Sequence, residues 1–184
     1  MVNRAVAALR RASRITAGPL VVRAVAFGAG FAALFLSLPG PLRIPQFVVL
    51  AVVLSLISAV GTGTALVSLV EYLAVCVWFG TTTMYAYAIE PGQVLGIAAA
   101  IYLHHTSCAL AAVLPVDGAV APRVLRGWLL RTGGVLVVSL ALGLGVFSLP
   151  SLIGHPTGWY VPLLGLLALL AAAFGIVRLT RRPR

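Results

Sequence analysis

Residues Val94 to Leu114 read VLGIAAAIYLHHTSCALAAVL, an apolar run with two adjacent histidines, His104 and His105, near its middle. At ~1.5 Å per residue a helix of this length matches the ~30 Å hydrocarbon core of a bilayer. The run therefore reads as a transmembrane helix with two imidazoles at mid-depth. Polar side chains are costly in lipid, so they turn toward protein and find partners there. Stepping by four from His104 gives Gly96, Ala100, Cys108 and Ala112, with Ser107 and Ala111 beside them. Small residues on one stripe let two helices approach closely, so His104 is expected to face a neighbouring helix. His105 points about 100° away, on the side of Tyr102, Ala98 and Ala109, toward a third helix or a buried water.

The rest of the chain has the same character. Of its 184 residues, 61% are hydrophobic and only 9% charged, with a mean hydropathy of +1.12. So little polar surface cannot cover a globule in water, which sets the class as an all-α polytopic membrane protein. Thirteen arginines and no lysine face only Glu71, Glu90 and Asp117, for a net charge of +10. In a soluble protein that balance would suggest nucleic acid. Here the arginines sit at span ends, where they set orientation and meet anionic headgroups, so no nucleic-acid partner is expected.

In chain order, residues 2–15 place Val2, Ala5, Val6, Leu9 and Ala12 opposite Arg4, Arg10, Arg11 and Arg14. That is the pattern of a basic amphipathic helix in the membrane interface, its arginines on lipid headgroups; a disordered basic segment is the alternative. The charged lead is long and no small-x-small cleavage site follows the apolar run, so a cleavable signal peptide is not expected. Six spans follow: Leu20–Leu38, Ile44–Val60, Ala65–Tyr87, Val94–Leu114, Trp128–Phe147 and Trp159–Val177. In the first, Ala24, Gly28 and Ala32 form a close-packing face, and Arg23 is placed to snorkel to the headgroups. Glu90-Pro91-Gly92 and the stretch holding Pro150, His155 and Pro156 read as loops. The domain organisation is a basic segment over 1–18, a six-helix membrane domain over 19–178 and a basic tail over 179–184.

Arginine placement supports an even number of crossings. Arg4, Arg10, Arg11, Arg14 and Arg23 lie at the start, Arg123, Arg126 and Arg131 between spans four and five, and Arg178, Arg181, Arg182 and Arg184 at the end. Only Arg43 falls on the other side. Positive charge marks the cytoplasmic face, so both termini are expected there, in a multi-pass protein of the cell (plasma) membrane.

Three residues could carry chemistry: Glu71, His104 and His105. Spans three and four are consecutive antiparallel helices, so a carboxylate at ~9 Å depth can reach an imidazole at ~13–15 Å. One reading is a proton-relay or ion-linked site; the other is a hydrogen bond that fixes helix packing. His104 and Cys108 share a face and Glu71 could join them, but a transition-metal site wants more ligands, so no metal or other cofactor is expected. Cys76 and Cys108 both read as buried small hydrophobes. Ser68, Ser107 and Ser139 lack a nucleophile motif, and no phosphate-cradling glycine loop is present, so an enzyme is the weaker reading.

Three segments, Leu69 to Val75 (LVEYLAV), Tyr102 to Pro115 (YLHHTSCALAAVLP) and Leu125 to Trp128 (LRGW), carry a resemblance. Over residues 66–140 the chain resembles a family of uncharacterised small actinobacterial integral membrane proteins encoded near MoxR-type ATPases and their von Willebrand-like partners. The resemblance implies a helper in a membrane complex served by a chaperone-like ATPase, and it carries over no catalytic residues. The function expected on all these grounds is a non-enzymatic subunit or assembly factor of a larger membrane complex, meeting a protein partner or a second copy in the membrane. The alternative is a small transporter or proton-coupled carrier using the intramembrane Glu/His site.

Overall fold

The computed structural model describes residues 17–85, 89–114 and 120–153. These form five α-helices: α1 (Ala17–Ser37), α2 (Pro45–Val60), α3 (Ala65–Tyr85), α4 (Pro91–Val113) and α5 (Pro122–Ile153), with a single 3-10 turn at Gly40–Leu42. No strand occurs among the described residues. The chain divides into two compact units, Met1–Val138 and Ser139–Arg184. Helices α1 to α4 and the first half of α5 belong to the former.

Prolines set where the helices begin. Pro45 and Pro91 occupy the first turns of α2 and α4, and Pro122 opens α5. Proline there loses nothing, because the first N–H groups of a helix have no partner within it and φ is already helical. Glu90-Pro91-Gly92 is therefore the start of α4 and not the loop expected before it. Likewise α5 begins six residues earlier than expected and runs past Pro150 to Ile153. Pro150 lies in the last turn, where one lost hydrogen bond is tolerated. Between α2 and α3 the chain reverses over Gly61 to Thr64, and Gly63 takes φ +87°, a conformation that only glycine adopts without strain.

Four of these helices, α1, α3, α4 and α5, are long and apolar enough to cross a membrane. Helix α2 has only 16 residues. It nevertheless runs antiparallel beside α1, because Arg23 near the start of α1 donates to Ala59 O at 3.1 Å and Val60 O at 2.9 Å, at the end of α2. Five of the six expected spans fall among the described residues, four as long apolar helices and one as a short one. The expected span Trp159–Val177, the basic helix over 2–15 with Arg4, Arg10, Arg11 and Arg14, and the basic tail lie outside the described residues.

One expectation for α1 is corrected and one is extended. Its buried side carries Val22, Ala26, Ala29, Ala33, Leu34 and Ser37. The stripe Ala24, Gly28, Ala32 is not the close-packing face: Ala24 and Gly28 are exposed, and a Cβ built on Gly28 meets nothing within 4 Å. Arg23, at the helix end as expected, also has protein partners there. Its guanidinium closes the α1–α2 pair by satisfying carbonyls that α2, ending at Val60, cannot bond within itself.

The core is built from small residues. One cluster joins Ala33, Leu34, Ala51, Val70, Ala74 and Ala100, and a second joins Ala26, Ala59, Val67 and Cys108. Alanines at these positions bring backbones close, so packing rests on helix–helix contact and not on large interlocking side chains. Helix α4 runs antiparallel to α1: Gln93 Nε2 at its start donates to Leu36 O, near the end of α1, at 2.7 Å. Large apolar residues point outward instead, among them Val49, Leu56, Leu69, Val75 and Phe79. In water this would be an insoluble surface; in hydrocarbon it is the expected one.

Candidate functional site

The two histidines of α4 part company, as their angular separation requires. His104 is completely buried. Its Nδ1 lies 2.8 Å from the carbonyl oxygen of Ala26 on α1. A carbonyl only accepts, so Nδ1 is the donor. In an α-helix the oxygen of residue 26 already receives the N–H four residues on, at Gly30, and the imidazole takes its second lone pair.

Gly30 makes this contact possible. A Cβ there would sit 2.8 Å from His104 Nδ1 and 2.9 Å from its Cε1, closer than real side chains approach. The bare backbone of α1 is the recess that holds the ring. Ser55 of α2 borders the same recess, its Oγ 3.4 Å from that Cβ position, and this hydroxyl is buried with no hydrogen-bond partner among the described residues. On the other side of the ring, Cys108 Sγ lies 3.9 Å from both ring nitrogens. Neither Gly30 nor Ser55 stands out in the sequence; the signal was the buried spacing of Ala26, Gly30 and Ala33 opposite a mid-span histidine.

His105 meets Glu71. Its Nδ1 lies 3.1 Å from Glu71 Oε1, joining α4 to α3. The His105 side chain, 62% exposed, lies on the outside of the α3–α4 pair, and that of Glu71, 17% exposed, is largely covered. Glu71 is about 9 Å along α3 from its start and His105 about 12 Å from the end of α4, both well inside the helices. Of the two imidazoles within reach in the sequence, the carboxylate takes the outer one and leaves His104 to the backbone. His105 thus turns to a third helix, α3, while His104 packs on α1.

This separation decides what the residues can do. Glu71 does not join His104 and Cys108, and no group of three or more His, Cys, Asp or Glu gathers among the described residues. Cys108 is buried as expected, but Cys76 is exposed on α3. Ser107, also buried, donates to Leu103 O at 2.6 Å within its own helix. The expected stripe on α4 holds for Ala100, His104, Ser107, Cys108 and Ala111, whereas Ala112 is exposed. His155 lies outside the described residues. Two cavities, of about 550 and 420 Å³, open at the other end of the helices, and neither is lined by Glu71, His104 or His105.

No family model, curated protein or solved structure matches the chain.

Proposed function

We propose that the chain is a non-enzymatic integral membrane protein, a subunit or assembly factor of a larger membrane complex, which meets its partner through the outer face of α3 and α4. The observation that carries this reading is the Glu71–His105 pair. Ionisable residues inside a span normally turn toward protein, because a charged acid at a helix centre costs about 2.5–3.5 kcal/mol on insertion scales. Here an acid and a base have each other, yet His105 remains mostly open on the outer surface, and Tyr72, next to Glu71 in sequence, is 71% exposed. A polar group from a partner helix would offset what the pair alone does not.

The carrier reading has less support. It needs Glu71 and a histidine to line a passage, and neither cavity reaches them. His104 is committed to a backbone carbonyl at a fully buried position. The orientation that fits is the one with both termini cytoplasmic in the cell membrane, Arg123 and Arg126 on that side and Arg43 opposite. The resemblance to proteins encoded beside MoxR-type ATPases fits the same reading, with the chain as a membrane component on which such an ATPase acts.

The test is a native gel of mild-detergent extracts comparing wild type with E71A/H105A. A wild-type band well above the monomer that the double variant loses, while remaining a folded monomer, is the expected result. Identical migration of both as monomers would overturn the reading.

A further inference from the structure

Away from Glu71 and the histidines, the end of the bundle that holds Arg43 carries two adjoining cavities, one of mixed lining and one apolar. The larger, about 550 Å³, is of mixed lining, with the charged and polar side chains of Arg43, Thr81, Thr82, Glu90 and Gln93 among its walls. The second, about 420 Å³, is apolar and lies between α2 and α3, with Phe47, Leu50, Leu54, Leu73 and Gly80 in its walls. Thr81 lines both.

The charges in the larger cavity are held apart. Arg43 donates Nε to Leu38 O at 3.1 Å and lies over the Phe35 ring, 4.8 Å from its centroid. Glu90 precedes α4 and makes no side-chain capping bond. Among the described residues the two form no ion pair, although they line one cavity. An anion and a cation lining one space present complementary charge to a group that carries both signs.

The apolar cavity supplies the scale of what is attached. From Phe47 to Leu54 it follows α2 for about 10 Å, and from Tyr85 back to Leu73 it follows α3 for about 18 Å. That is close to half of a ~30 Å hydrocarbon core, the depth of one leaflet. A polar head at the level of the helix ends and a hydrocarbon slot one leaflet deep describe an amphiphile.

We propose that this end of the bundle binds one membrane phospholipid with a phosphoethanolamine headgroup. Its phosphate lies at Arg43, its ammonium at Glu90, and an acyl chain fills the slot between α2 and α3. A guanidinium alone would take any anionic lipid; the carboxylate opposite it selects a head that also carries a hydrogen-bonding cation.

The test uses the full chain in nanodiscs of equal dioleoyl-phosphatidylethanolamine and dioleoyl-phosphatidylglycerol, with the retained lipid read by native mass spectrometry. A charge-assisted hydrogen bond sets the expected preference for phosphatidylethanolamine at about tenfold. E90Q should bring the ratio to about one, since only the ammonium contact is lost, and R43Q should lower retention of both lipids. G80L adds a side chain to the wall of the slot at a position where a Cβ meets nothing within 4 Å, and it should also lower retention of both. Equal retention of the two lipids by the wild type, an unchanged ratio in E90Q, or full retention in G80L would each overturn the proposal.

Discussion

His104 Nδ1 donates to the carbonyl oxygen of Ala26 across 2.8 Å, from the middle of one long apolar helix to the first half of another running antiparallel to it. Both residues are fully buried, so the bond fixes the register of α4 on α1 as well as their separation. H104F keeps most of the ring volume and leaves Ala26 O its helical bond; its expected cost is about 1 kcal/mol, the scale of a hydrogen bond between membrane helices. H104A adds a cavity and should cost about 3 kcal/mol. Reversible unfolding in mixed micelles measures both, and equal stability of H104A and the wild type would refute the role given to the ring.

Two glycines of α1 should respond oppositely to the same substitution. In G30A the new methyl lies 2.8 Å from His104 Nδ1, so the ring or the helix must move, at about 1–3 kcal/mol as in other overpacked cores. In G28A the methyl meets nothing, and removal of a helical glycine should stabilise by up to about 1 kcal/mol. Thermal unfolding of the two single variants side by side checks the contrast.

Arg23 bridges the start of α1 and the end of α2 through two carbonyls. R23A should cost about 2 kcal/mol, because hydrogen bonds from a charged donor are the stronger kind and the group is partly buried. R23K, whose ammonium lacks the planar fork, should recover only part of that. If R23A were as stable as the wild type in mixed micelles, the guanidinium would serve the headgroups alone.

Orientation is checked by labelling. In intact cells, cysteines placed at Gly40 and at Thr62, in a background without Cys76 and Cys108, should differ: a membrane-impermeant maleimide should reach the first and not the second. The reverse pattern would place Arg43 on the cytoplasmic side.

The apolar runs and the turn glycines announced the helical architecture, and the four-residue stripe on Val94–Leu114 placed His104, Ser107 and Cys108 inward, where they lie. The reach between consecutive antiparallel helices also brought Glu71 within range of a histidine. Which histidine was open, because the relative rotation of α3 and α4 is set by packing and not by spacing. Helix α1 posed the same problem more sharply. It has small residues on two faces, Ala24, Gly28 and Ala32 on one and Ala26, Gly30 and Ala33 on the other, and only the imidazole on α4 chooses between them. Arg23 read only as an interfacial arginine because the unbonded carbonyls that hold it belong to another helix. The adjoining cavities at Arg43 were invisible for a related reason: Arg43 and Glu90 lie far apart in sequence and come to line one cavity only through the fold.

The proposed partner face is tested most directly from Tyr72, the most exposed neighbour of Glu71 on α3. A photo-crosslinking residue at position 72, activated in native membranes, is expected to yield one discrete crosslinked polypeptide that is lost in E71A/H105A and absent when the probe sits at the exposed Val49 of α2. Crosslinks to lipid alone from position 72, or the same product from both positions, would contradict a partner docked over the Glu71–His105 pair.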